Sequence, residues 1–325
     1  MNRKIVIWLL TTFFLTTASL AEAQQTARVS RIGFLVASTA SNYATRIETF
    51  RQALRELGYI EGKNIVIEYR FGEGREDRLR ELAAELVSLN VDLIVTAAGA
   101  RFAKDATKTI PIVFAATADP VATGLVDSLA RPGGNLTGLT VFGPELTGKR
   151  IELLKEAFPR ITRVAFLWNP SAPIDPILLK EAEAVSGVLK LQIRPLEIRS
   201  LNDFDTAFSK ATREVVHGLT MTLNPFLNTH RARILDFATK NRIPAIFGAP
   251  EIVEGGGLMS YSPDYVEQFR RVAVMVDKIL KGTKPADIPV EQPMRFEFVI
   301  NLNAAKRIGV TIPPNVLVRA TRVIR

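Results

Sequence analysis

The chain contains no cysteine, and of its 325 residues only two are histidine and two tryptophan. Without cysteine there is no disulfide framework and no thiol to carry a lipid at a processing site. His217 and His230 are too few to build a zinc or copper centre without thiolates, so no metal site is expected. Charge of one sign is nowhere concentrated. Lys and Arg number 42 against 33 Asp and Glu, a net +9, yet the signs alternate, as in residues 75–81 (REDRLRE), and no block of five like charges occurs. That patterning belongs to solvated helix faces and argues against a nucleic-acid partner. Catalytic and phosphate-binding signatures are missing too. There is no G-x-S-x-G elbow and no Walker loop; Gly72-x-Gly74 lacks a third glycine, and the glycine run 255–257 precedes a strand instead of opening a helix. Neither an enzyme nor a cofactor is expected.

Long apolar runs are scarce, and the one that exists is at the start. Arg3 and Lys4 precede an apolar stretch over residues 5–20, followed by Ala21-Glu22-Ala23, a small-x-small cleavage site. The stretch is short and threonine-rich for a membrane span, which needs about 20 strongly apolar residues. Residues 1–23 therefore read as a cleaved signal peptide, with a mature chain starting at Gln24, released into the periplasm without a lipid anchor.

From residue 31 onward short β-rich runs alternate with amphipathic stretches, the pattern of βαβ units around parallel sheets. Strands are expected at 32–36, 65–69, 93–96, 111–115 and 139–141, separated by helices at 43–57, 76–89, 100–107 and 121–130. The pattern then restarts. Residues 163–167 (RVAFL) repeat 31–35 (RIGFL), and 243–247 (IPAIF) repeat 110–114 (IPIVF) at almost the same offset in sequence. Two similar doubly wound parallel-sheet lobes follow: 31–141 plus about 263–290, and 142–262 plus about 291–325. Helices at 145–158 and 263–280 and a proline-rich linker over 284–293 cross between them, making a multi-crossover hinge.

Four stretches carry a family resemblance: residues 131–138 (RPGGNLTG), 255–264 (GGGLMSYSPD), 279–293 (ILKGTKPADIPVEQP) and 312–320 (IPPNVLVRA). Together, and in this order, they resemble the ABC-transporter substrate-binding protein family, in the branch with a type I periplasmic-binding-protein fold that includes tryptophan- and phenylalanine-binding members. Ser262 departs from the glycine expected after the tyrosine. The resemblance covers essentially the whole mature chain. It implies a periplasmic receptor that closes two lobes on a small organic ligand, an amino acid or similar small carboxylate, and presents it to an ABC permease in the inner membrane. A ligand-sensing module that signals without transport is the alternative, and an exported hydrolase a third. The receptor is expected to act as a monomer.

In open α/β sheets ligands bind beyond the carboxyl ends of the strands. The loops there are expected to converge on one cleft. The first lobe would offer Ser38, Thr39, Ala98, Gly99, Thr117 and Asp119, small or hydroxyl-bearing residues at helix starts that favour an anion. Ser41 and Asp119 also read as helix caps, Asp119-Pro120 opening the helix expected at 121–130. The second lobe would offer Trp168, Asn169, Asn224, Phe226, Phe247, Glu251 and Tyr261, an apolar wall with a few fixed polar groups. Phe247, inside a strand, reads first as core and second as a ligand contact.

Overall fold

The structure, a computed structural model, describes residues 29–325; the signal peptide and its cleavage site lie outside the described residues. The chain forms two sheets. The first has the order β2-β1-β3-β4-β5 and is parallel throughout: β1 Ser30–Val36, β2 Ile65–Phe71, β3 Leu93–Ala97, β4 Ile112–Thr117 and β5 Leu136–Thr140. The second contains the order β7-β6-β8-β9-β10: β6 Arg163–Trp168, β7 Gln192–Glu197, β8 Gly218–Met221, β9 Ala245–Phe247 and β10 Met259–Pro263. The repeated strand β1 and its copy β6 therefore occupy the same place in their sheets, and the internal repeat is a repeat of topology. The second sheet goes further. β11, Phe296–Asn301, runs antiparallel to β10, and β12, Arg322–Ile324, pairs beyond it.

Helices cover both faces of each sheet. In lobe 1, α1 (Ala40–Glu56), α2 (Glu76–Ser88) and α3 (Ala100–Ala106) connect the strands. Helix α1 forms because Phe50, Ala53 and Leu54 recur at helical spacing on a buried stripe, and it stops where Gly58 takes φ +92 and Tyr59 N–H turns back to the Leu54 carbonyl. Phe34 of β1 is fully buried against Phe50, ring centroids 5.2 Å apart. Each such side chain contributes about 2–3 kcal/mol of burial.

Helix α4, Gly143–Ala157, follows β5 of the first sheet but packs its Ile151, Leu153 and Leu154 under the second. In lobe 2 follow α5 (Asp175–Val188), α6 (Asp203–Arg213), α7 (Pro225–Thr229), α8 (Arg231–Lys240) and α9 (Pro250–Glu254). Helix α10, Tyr265–Leu280, leaves β10 and returns to the first sheet, where Phe269, Val272, Met275 and Val276 join the core with Phe34 and Phe50. The chain passes back to β11 through residues 291–295, and α11 (Leu302–Ile308) and α12 (Pro314–Leu317) finish lobe 2. Where these crossings run side by side, Gln268 Nε2 donates to the Thr140 carbonyl at 3.2 Å and Arg271 pairs with Glu291 around a cavity of about 110 Å³.

The helix expected at 121–130 is absent; these residues form turns. Asp119 does cap, its Oδ1 accepting from Val121 N–H at 3.2 Å and Ala122 N–H at 2.9 Å, but what it caps is a single turn. Gly124 at φ +66 ends that turn, and the chain bends on through Leu125 and Val126, which are buried individually instead of along a helical stripe.

Candidate functional site

The two sheets point their carboxyl ends at each other, and the lobes touch across the gap between them. Arg46 of α1 reaches Glu251 of α9, Nη2 at 2.7 Å and Nε at 3.0 Å from Oε1. Arg231 Nη1 donates to Asn42 Oδ1 at 2.7 Å, and a side chain on Gly74 would meet Thr229 Oγ1 at 3.1 Å. Nearer the hinge, Gly143 lies so close to lobe 1 that a Cβ there would stand 2.8 Å from that of Ala118. Named contacts therefore join the lobes along the cleft and beside the hinge.

On the lobe 1 side, Ser38 is buried and its Oγ accepts from Asn42 Nδ2 at 2.8 Å; Thr39 precedes α1 without capping it, its hydroxyl 3.1 Å from Ser41 Oγ. Ala98 is exposed and Gly99 buried. Ala98 and Ala116 adopt φ +60 and +59, a conformation costing an alanine about 1–2 kcal/mol. Asn90, Lys190, Val215 and Arg242 also have positive φ, but each follows the end of a helix, where a left-handed residue closes the last turn. Glu73, at φ +55, lies in the turn after β2, and Ala116 sits inside β4 at its register shift, where a bulge accounts for the turn of the backbone; Ala98 has no such reason and lies on a loop facing the cleft. Thr117 ends β4 beyond a register shift and gives its carbonyl to Thr140 Oγ1 and Val141 N–H, both at 2.8 Å. Asp119 is occupied by its turn. Only two of the three lobe 1 loops, at Ser38–Thr39 and Ala98–Gly99, lead into helices, so the anion-favouring amides expected after β4 are missing there.

On the lobe 2 side the wall is aromatic. Phe226 packs on His230 with centroids 4.6 Å apart, and Tyr261 stacks on Phe296 at 5.8 Å, which stacks in turn on Phe142 at 6.3 Å. Ala116 and Ala118 of lobe 1 pack against the same apolar cluster as these rings. Trp168, at the end of β6, is half-buried with its indole Nε1 out of water and without an acceptor among the described residues. Asn169 and Asn224 are structural in part. Asn169 Oδ1 accepts from Ser171 N–H, and Asn224 Oδ1 caps α7 by accepting from Phe226 N–H at 2.8 Å. Phe247 is fully buried, its ring edge against Gly257, and belongs to the core. Glu251 is engaged by Arg46, with its second oxygen buried and unpartnered.

Charged residues that the sequence reading did not single out lie beneath this surface. Arg46 is sandwiched between Tyr265 at 4.0 Å and Tyr43 at 4.8 Å; burial pulls its pKa down, but Glu251 and the two tyrosines raise it overall. Burial pushes the Tyr265 phenol up to about 12. Arg150 of α4 is buried with its pKa lowered by burial and no carboxylate beside it. Asp175, at the start of α5, has its carboxyl raised by burial to about 6, although Asn169 N–H and Thr222 Oγ1 donate to Oδ2 at 2.8 and 2.7 Å. One signal was available: Arg46 stands four residues before Phe50 and eight before Leu54, and Arg150 lies midway between Leu146 and Leu154, each a charge on an apolar helical stripe.

A second recess of about 720 Å³ lies at the amino ends of the lobe 2 strands, lined by Phe158, Pro159, Pro244 and Pro313. Its histidine, His217, is already tied to Thr162 and Arg163, and no unpartnered buried polar group faces it. It lacks the chemistry of the cleft.

Residues 35–324 match the family profile described as ABC transporter substrate binding protein. The chain belongs to that family. A tyrosine-binding protein of Clostridioides difficile (strain R20291) is 27% identical over 259 residues, 79% of this chain and 74% of its own. The crystal structure of an ABC domain in complex with L-Trp from Streptococcus pneumonia superposes with a TM-score of 0.84 at 26% identity, over 91% of this chain and 99% of that one. The ligand-free, open structure of a substrate-binding protein with adhesive properties from Clostridium difficile gives 0.67 at 25% identity over the same 91% and 99%. Identity and coverage are alike in these two, and this substrate-binding protein has the higher score with the L-Trp complex. Its architecture is that of the type I periplasmic binding proteins: two α/β lobes on parallel sheets. Among the described residues no helix is long and apolar enough to cross a membrane.

Proposed function

We propose that the protein is an exported, periplasmic receptor that captures an aromatic amino acid, or a similar small carboxylate, between its lobes and delivers it as a monomer to an ABC permease in the inner membrane. The observation that carries this reading is the aromatic wall of lobe 2, Trp168, Phe226 and the Tyr261–Phe296–Phe142 stack, on a chain whose relatives include a tyrosine-binding protein and an L-Trp complex. Apolar faces with a few fixed polar groups suit a ligand with one aromatic end and one charged end. Lobe 1 supplies hydroxyls from Ser38 and Thr117, and the lobes move about the three crossings, closing as α1 and α9 meet.

Isothermal titration calorimetry of the mature protein with L-tyrosine, L-tryptophan, L-phenylalanine, L-alanine and glucose tests the reading. An aromatic amino acid should bind, and at 100 times its Kd it should add about 2.7 kcal/mol to stability. Binding of glucose or alanine alone would overturn it. Thr117→Val keeps shape and removes the hydroxyl, so affinity for that amino acid should fall by about 1–3 kcal/mol with melting unchanged. Intact-mass analysis of the exported protein should find Gln24 first; a retained precursor would contradict the proposed location.

A further inference from the structure

Two arginines among the described residues are buried, Arg46 at 6% and Arg150 at 8% exposure, and both lie beneath the cleft. Arg46 has a carboxylate, Glu251, at 2.7 Å. Arg150 has none. Its only hydrogen bond among the described residues is Nε to the Tyr261 carbonyl at 2.8 Å, so Nη1 and Nη2 are without acceptors. Neither nitrogen is among the polar atoms cut off from solvent, so both remain open to a group entering from the cleft, and a largely buried guanidinium without a counter-charge is stabilised by an anion.

The position of the group says where that anion would come from. Helix α4 starts at Gly143, in contact with Ala118 on the cleft-facing loop of lobe 1. Side chains on a helix lean toward its amino end, so Arg150 reaches back toward the cleft. Its guanidinium lies against Gly248, the first residue past β9: a Cβ at Gly248 would stand 3.1 Å from Cζ and from Nη2. A side chain there would press the guanidinium aside by a few tenths of an ångström. Tyr265 Oη donates to the Gly248 carbonyl at 3.3 Å, and Tyr261, whose ring is part of the aromatic wall, holds Nε through its carbonyl. The unpaired ends of the fork thus lie beside the aromatic wall, at the carboxyl ends of β9 and β10.

Other cations near the cleft are satisfied or hydrated. Arg46 is paired, and Arg231 is only half-buried, with Nη1 taken by Asn42 Oδ1 and the Asn228 carbonyl. We infer that Arg150 is the receptor for the ligand's carboxylate, a planar two-donor fork facing a planar two-acceptor group, and that it makes the site selective for acids over their neutral amides. This inference rests on the amino-acid reading of the cleft. The two-pronged match is the geometry for which arginine is suited and lysine is not.

The experiment compares L-tyrosine with L-tyrosinamide, and L-tryptophan with L-tryptophanamide, on the wild type, Arg150→Gln and Arg150→Lys by calorimetry, with melting recorded for each. The wild type should prefer the acid at least 100-fold. In Arg150→Gln the acid should lose about 100-fold while the amide changes less than threefold, collapsing the preference; Arg150→Lys should retain part of it. A wild type that binds amide as tightly as acid overturns the inference without any variant, which covers the case of Arg150→Gln failing to fold. Equal losses for acid and amide overturn it as well, because they mark Arg150 as a brace for β10 through the Tyr261 carbonyl. A wild type that binds none of the four probes removes the amino-acid reading and this inference together; binding with an unchanged ratio in the variants removes the inference alone.

Discussion

Lobe 1 and lobe 2 share the order of their five core strands, yet they meet the cleft with different chemistry. Lobe 1 presents small residues, Ser38, Ala98, Gly99, Ala116 and Thr117, with a left-handed alanine at Ala98 on its cleft loop. Lobe 2 presents rings, and beneath them lie Arg150 and Asp175, two buried charges with no ion-pair partner among the described residues. Duplication copied the scaffold, and the recognition chemistry was concentrated in one copy. In the proposed reading the small-residue lobe is a cover that fits closely because little projects from it. The other, in the same reading, holds the ligand.

The largest effect expected from disturbing this division is at the contact that joins the lobes. Glu251→Gln removes the counter-charge of Arg46, leaving a guanidinium buried between Tyr43 and Tyr265 whenever the cleft closes. Removing one partner of a buried pair costs about 3–5 kcal/mol. Glu251 is partly exposed, so the lower figure applies and affinity for the bound amino acid should drop about 100-fold by calorimetry. Unchanged affinity would mean that the pair plays no part in the liganded form.

Next in size is Asp175. Its folded carboxyl sits near pKa 6 against an ordinary 3.8, so the native protein holds that proton more tightly than the unfolded chain does. The contribution of this group is therefore most favourable below about pH 4 and is lost as the pH rises through 4 to 6, a change of about 2–3 kcal/mol. Asp175→Asn keeps an acceptor for Asn169 N–H and Thr222 Oγ1 and removes the charge. The variant should be more stable than the wild type at pH 7 and equal to it at pH 4 in urea unfolding. A difference that does not vary with pH would contradict the assignment.

The smallest effect belongs to lobe 1. Ala98→Gly relieves a left-handed alanine and should raise stability by up to about 1 kcal/mol in urea unfolding, after the backbone entropy of glycine is subtracted. A loss of stability would show that the methyl group packs usefully, and the strain argument at this loop would fail.

What sequence could show and what it could not divide along physical lines. Strand positions and the repeat were legible because continuous apolar runs and their spacing are local properties, and β1 and β6 are each fully buried in their middles. The helix expected at 121–130 failed because Asp119 caps a turn as readily as a helix; Gly124 decided the outcome. The loops facing the cleft were legible from topology alone. Phe247, Asn169 and Asn224 were legible only as residues of the right region, because core packing and capping use the same side chains as ligand contact. Arg46, Arg150 and Asp175 drew no notice because their interest comes from burial, which depends on partners far away in sequence: Glu251, Gly248 and Thr222. Phe296, stacked on Tyr261 from the antiparallel strand β11, came into the site by an extension of lobe 2 that the repeat did not contain.

The absence of cysteine makes the central claim, that lobe 1 closes over a ligand held by lobe 2, open to a direct measurement. A Cβ on Gly74 would lie 3.5 Å from that of Thr229 in the other lobe, within the 3.5–4.5 Å that a disulfide spans. In Gly74→Cys/Thr229→Cys the new pair is the only one in the protein, and the strain of a cysteine at φ +80 is common to both arms of the experiment. Disulfide formation under mild oxidant is followed with and without saturating amounts of the aromatic amino acid that the wild type binds. The account predicts faster and more complete crosslinking with ligand, since the ligand increases the time the two lobes spend in contact. Crosslinking that proceeds at the same rate with and without ligand would contradict it.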